Sequence, residues 1–125
     1  MKLRICGNSI RVRLGKAEVA HLAAGGMVTQ TTAILPGACL VTSVETSPKA
    51  PRPNATFADG RLLILLPAES ARHWAASEKV SLEGSQDAGE GQTLSLLVEK
   101  DFECLHNHAA SSPDAFPNPR RAAGA

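Results

Sequence analysis

Apolar side chains recur at every second position from Lys2 to Cys6 and again from Ser9 to Leu14. Such alternation predicts strands with one buried face, and Gly7-Asn8 between them supplies a two-residue hairpin turn. The same signal returns later, where Ala55 to Ala58 and Arg61 to Leu66 flank Asp59-Gly60. Each hairpin leads into a short helix. The first runs over Lys16 to Ala24, between Gly15 and Gly25-Gly26; the second runs over Ala68 to Ala76 behind Pro67, a residue suited to a first helical position. Strands resume at Met27 to Leu35 and Leu40 to Glu45, joined through Pro36-Gly37. Their counterparts are Lys79 to Glu83 and Thr93 to Lys100, joined through Gly84 to Gly91. The predicted order is β-β-α-β-β, twice.

The two halves also match position by position. A shift of 52 carries Ile10, Val12 and Leu14 onto Leu62, Ile64 and Leu66, and His21-Leu22-Ala23-Ala24 onto His73-Trp74-Ala75-Ala76. It also carries Val28 onto Val80, while a shift of 54 carries Leu40, Val44 and Glu45 onto Leu94, Val98 and Glu99. This pattern predicts a degenerate internal duplication. The expected fold is α+β, with a mainly antiparallel, barrel-like sheet built from two repeats and two short helices. Residues 1–101 form the pseudo-duplicated domain, as repeats 1–46 and 54–101. The linker 47–53 holds three prolines, Pro48, Pro51 and Pro53, and is read as stiff and extended. Residues 102–125 are a C-terminal extension without periodicity, ending in a frayed tail. From Phe102 to Pro119 this extension is expected to fold back over the barrel, cover Leu63 and Leu65, and bury at least one of Phe102 and Phe116.

Composition adds limits rather than identity. The length of 125 residues suits one domain, and 43% apolar with 20% charged residues suits a folded chain. A net charge of +1 provides no global attraction to nucleic acid or to an anionic surface, so any basic function must be local. No apolar run approaches the roughly 18 residues that span a bilayer, and no signal-peptide layout opens the chain, so a cytoplasmic location is expected. Cys6, Cys39 and Cys104 are odd in number and never spaced as C-x-x-C, which argues against a disulfide framework and a four-thiolate zinc site.

The run Gly7-Asn8-Ser9-Ile10-Arg11-Val12-Arg13-Leu14 resembles the opening of the swapped-hairpin barrel family, the bacterial transition-state regulators and antitoxins of the AbrB and MazE type. Asp59-Gly60-Arg61-Leu62-Leu63-Ile64-Leu65-Leu66-Pro67 and Lys79-Val80-Ser81-Leu82-Glu83-Gly84 resemble the hairpin, helix start and third strand of the regulator branch. In that family two chains interleave their hairpins into one barrel, so the resemblance implies that this single chain forms the barrel as a pseudo-dimer. It further implies contact with duplex DNA at Arg4, Asn8, Ser9 and Arg13. The opening Met1-Lys2-Leu3-Arg4, with Glu99-Lys100-Asp101-Phe102 and Asp114-Ala115-Phe116-Pro117-Asn118-Pro119, is similar to an uncharacterised bacterial family with no activity attached.

The residues themselves support a local basic site. Lys2, Arg4, Arg11, Arg13 and Lys16 stand against Glu18 alone in the first twenty positions, and Arg11 and Arg13 share the strand face opposite Ile10, Val12 and Leu14. A two-stranded basic ribbon of this kind fits a DNA groove, with arginines on phosphates or guanine edges. The other reading is a solvated face whose long charged side chains keep an edge strand from pairing. The positions matching Arg11 and Arg13 are Leu63 and Leu65, so the basic surface is one-sided. The candidate DNA-binding residues are Arg4, Asn8, Ser9, Arg11, Arg13 and Lys16. The alternative function is a protein-interaction module docking a partner through the barrel or the tail.

No Gly-x-Ser-x-Gly elbow, phosphate-binding loop or metalloprotease helix is present, so no enzyme is expected. No cofactor or metal is expected either. His21 and His73 are read as exposed helix residues rather than a paired site. Cys104, His106 and His108 do not have the spacing of a structural zinc motif.

Overall fold

The computed structural model describes residues 1–102 together with Phe116. Ten elements follow in order: β1 (Lys2–Cys6), β2 (Ser9–Leu14), α1 (Lys16–Ala23), β3 (Val28–Leu35), β4 (Ala38–Ser47), β5 (Asn54–Ala58), β6 (Arg61–Pro67), α2 (Ala68–Ala76), β7 (Ser81–Gly89) and β8 (Gln92–Lys100). The β-β-α-β-β order thus occurs twice in an α+β chain. In the first hairpin turn Gly7 takes the positive φ of 54°, and in the second Asp59 and Gly60 take φ of 53° and 73°. Among the described residues, no helix is long and apolar enough to cross a membrane.

The strands divide into two four-stranded sheets, ordered β1-β2-β8-β7 and β3-β4-β6-β5. Replacing each strand of one half by its counterpart converts one order into the other. The first hairpin therefore pairs with the closing strands of the second half, and the second hairpin with the closing strands of the first. The central contacts, β2 with β8 and β4 with β6, are parallel; the remaining four pairings are antiparallel. Register agrees as well. Val12 lies opposite Val98, and Ile64 opposite Val44, so the shift of 52 for hairpins and 54 for closing strands describes real equivalences.

Alternation explains the core. Ile10, Val12, Leu14, Leu62, Ile64, Leu66, Val44, Leu96 and Val98 turn inward and are buried. α1 packs on α2, and each helix also touches the strands around it. Leu22 and Trp74, matched by the shift of 52, are the buried anchors of the two helices. Burial of each large apolar side chain contributes roughly 1.5–3 kcal/mol before entropy is subtracted. Glu18 fixes the start of α1: its Oε1 accepts from the Gly15 N–H at 3.0 Å, and its Oε2 pairs with the Met1 ammonium at 2.8 Å.

One expected match is corrected. Val28 corresponds to Leu82 rather than to Val80, because Val28 pairs with Val44 and Leu82 with Val98. The stretch from Trp74 to Leu82 is two residues longer than that from Leu22 to Val28, and the extra length turns the Val80 side chain toward solvent. The Val80 carbonyl then accepts from the Trp74 indole N–H and from the Lys100 N–H, both at 3.0 Å.

The sheets form two layers rather than one closed barrel, because the strands at their seams are not joined by backbone pairing. The β5/β7 seam is bridged by a side chain. Gln86 Oε1 accepts from the Ala55 N–H at 2.7 Å, and Gln86 Nε2 donates to the Ala55 carbonyl at 2.8 Å. Buried Pro53 packs against Gly84 so closely that a Cβ there would lie 2.4 Å from the Pro53 oxygen. By the repeat, the counterparts of Ala55 and Gln86 are Leu3 of β1 and Thr32 of β3, and among the described residues no hydrogen bond joins these two.

Lys100 is buried at the end of β8, where its Nζ donates to the Ser77 carbonyl at 2.7 Å and lies 5.2 Å from the centre of the Phe116 ring. Desolvation holds its pKa below the ordinary lysine value, with Glu78 opposing that shift. The Phe116 N–H donates to the Asp101 carbonyl at 2.6 Å, and its ring meets Phe102 edge to face at 5.8 Å. The tail expectation is corrected at one point: Phe102 and Phe116 are each half-buried, not buried. Phe116 docks on the β8 end of the first sheet. Leu63 and Leu65, which the strap is expected to cover, are half-buried in the second sheet. The rest of the expected strap, with Cys104, His106 and His108, lies outside the described residues.

Candidate nucleic-acid interface

Period-two alternation that buries Ile10, Val12 and Leu14 sends Ser9, Arg11 and Arg13 to the outer face of β2. Antiparallel register adds β1, placing Arg4 opposite Arg11 and Lys2 opposite Arg13. Four cations therefore share one face of the hairpin. Parallel pairing with β8 places Leu97 beside Arg11 and Glu99 beside Arg13. Glu99 Oε1 accepts from Arg13 Nε at 2.7 Å, and Arg11 Nε lies 3.6 Å from the same oxygen. Lys2 Nζ pairs with Asp101 Oδ2 at 2.9 Å. Arg4 is exposed and has no ion pair among the described residues.

The six expected residues are brought only partly together. Arg4, Arg11 and Arg13 join Lys2 in the cluster. Asn8 and Ser9 sit at the turn, where Asn8 Nδ2 donates to the Thr93 carbonyl at 2.9 Å and ties the turn to β8. Ser9 opens onto a shallow depression of about 480 Å³ with Ser85, Ser95 and Glu83 on its wall. Lys16 stands beyond the far end of β2, about 20 Å from the turn by the rise of an extended strand. Sequence reasoning missed Glu99 and Asp101. The shift that paired Glu45 with Glu99 marked the residue, but only the parallel contact of β2 with β8 places it under the arginines.

The second half has no such face, since Asn54, Thr56, Leu63 and Leu65 occupy the positions of Lys2, Arg4, Arg11 and Arg13. His21 and His73 are exposed on their helices. Among the described residues no cluster of three or more His, Cys, Asp or Glu side chains is arranged to hold a metal ion.

A family model matches the sequence over nearly its whole length. The chain belongs to DUF7009, a family of unknown function, whose model matches residues 1–120. The match includes both halves and the Asp114–Pro119 motif, and it agrees with the expected kinship to an uncharacterised family. No curated protein and no solved structure matches the chain. DUF7009 thus supplies a family without a chemistry, and the basic hairpin face remains the feature from which a function can be argued.

Proposed function

We propose that the chain is a small, non-enzymatic regulator that binds duplex DNA through the outer face of its first hairpin. The observation that carries this proposal is the outward-facing cluster of exposed Lys2, Arg4 and Arg13 with half-buried Arg11, on a hairpin exchanged between the two halves. That exchange also supports distant kinship to the AbrB and MazE type of swapped-hairpin regulator, here as a tandem repeat that works in the cytoplasm. Glu99 and Asp101 reduce the face to a net of about +2 and weaken its field. Glu99 also holds two long arginine side chains in place, lowering the rotamer entropy of roughly 2 kcal/mol that each would lose on contact. Binding of this kind is one-sided, weak and steeply dependent on salt.

Anisotropy titration of labelled duplex DNA tests it. Two to four phosphate contacts give a log–log salt slope of roughly −2 to −4, with binding seen at low ionic strength. The Arg11→Ala, Arg13→Ala double variant should abolish it. No binding at low salt, or binding unchanged in that variant, would overturn the proposal. The second reading is a protein-interaction module, favoured by Ile5, Ile34, Leu35 and Phe57, each more than half exposed on strands of edge hairpins.

A further inference from the structure

Two seams that are equivalent by the repeat are unequal in chemistry. At β5/β7 the outward N–H and C=O of Ala55 are both satisfied by Gln86. β1 is the other hairpin edge, and Leu3 holds the register position of Ala55: Leu3 pairs with Val12 as Ala55 pairs with Ile64. The N–H and C=O of Leu3 therefore point away from β2, as do those of Ile5 two residues on. Thr32 does not bridge to Leu3, and among the described residues no hydrogen bond reaches these outward groups from outside the sheet.

From this edge we propose that β1 is a docking site for an extended segment of another protein, one whose side chains alternate between acidic and aliphatic. A strand added to β1 places residues opposite Lys2 and Arg4 on the outer face and residues opposite Leu3 and Ile5 on the inner face. The outer positions meet Lys2, exposed and paired with Asp101, and Arg4, which has no ion pair among the described residues and lies next to Arg11, so acidic side chains are favoured there. Inner positions meet half-buried Leu3 and Ile5, which is 58% exposed, so aliphatic side chains are favoured. A second copy of the chain is a poorer occupant. Antiparallel pairing of β1 with itself about Leu3 sets Lys2 directly against Arg4, placing like charges opposite each other.

The probe is a short synthetic peptide alternating glutamate and valine, followed by amide chemical shifts and hydrogen exchange on the ¹⁵N-labelled full chain. Binding should protect the Leu3 and Ile5 amides first. Arg4→Glu should weaken it roughly threefold to tenfold and shift preference toward a lysine–valine peptide. Ile5→Pro, an edge substitution that removes one outward donor, should weaken peptide binding while leaving any DNA binding by the outer face in place. Equal affinity for the lysine–valine peptide, or binding without protection at Leu3 and Ile5, would overturn the proposal. So would protection of the same amides in peptide-free protein of doubled mass, which would assign the edge to a second copy.

Discussion

Single residues decide how the two halves differ, and Lys100 is the most telling. Alternation puts it on the inner face of β8 with Leu96 and Val98, where among the described residues its ammonium meets the Ser77 carbonyl, the face of Phe116 and the charge of Glu78. Its folded-state pKa is below the ordinary value of 10.5, chiefly through desolvation. Burial disfavours the charged ammonium, so the protonated lysine opposes folding. As pH rises through the lowered folded value toward 10.5, the folded chain releases the proton while the unfolded chain still holds it, and stability attributable to Lys100 rises with pH across that window. Chemical denaturation of the protein and of Lys100→Met at stepped alkaline pH checks this. The difference in stability should move in favour of the lysine-containing chain as pH climbs, and a difference flat with pH would show that Lys100 does not titrate within its burial site.

At the scale of elements, the tail contact is a small interface of known composition. Phe116 meets Phe102 edge to face and the Lys100 ammonium over its ring, and it packs against the core. An aromatic pair and a cation–π contact are each worth about 0.5–1.5 kcal/mol, so Phe116→Ala should destabilise by about 1–2 kcal/mol. The melting temperature should fall by several degrees. Truncation after Asp101 should have at least that effect, and a melting curve indifferent to both changes would mean that Phe116 contributes nothing there. Much of this scale was legible. Both hairpins, both helices and the inward faces of β2, β6 and β8 follow from alternation and turn residues, whereas β7 runs over Ser81–Gly89, through residues read as a connection. Local pattern could not tell which hairpin joins which closing strands, because a strand's period records its buried face but not its neighbour. For the same reason Arg13 was visible and its partner Glu99 was not. The two extra residues before Leu82 were hidden by valines at both 28 and 80.

For the whole molecule, the exchange of hairpins makes each half dependent on the other. β2 finds its parallel partner only in β8, and β6 only in β4. A separated half would leave the inner face of its hairpin, Ile10, Val12 and Leu14 or Leu62, Ile64 and Leu66, without the strands that extend its sheet. The connection between Ser47 and Asn54 forms no strand pairing of its own, so its main effect is to keep the halves at an effective concentration of order millimolar. Expressed as two pieces, 1–49 and 50–125, the protein should therefore lose its fold in each piece as a monomer and regain it on mixing. The mixture's melting temperature should rise with concentration, unlike that of the intact chain. Amide dispersion in NMR spectra of the separate and mixed pieces, with sedimentation to fix their mass, is the measurement. Assembly of one piece with itself would be the same exchange made between two copies. A piece that folds as a monomer, with its hairpin on its own closing strands, would show that the halves are independent and that the exchange does not hold the molecule together.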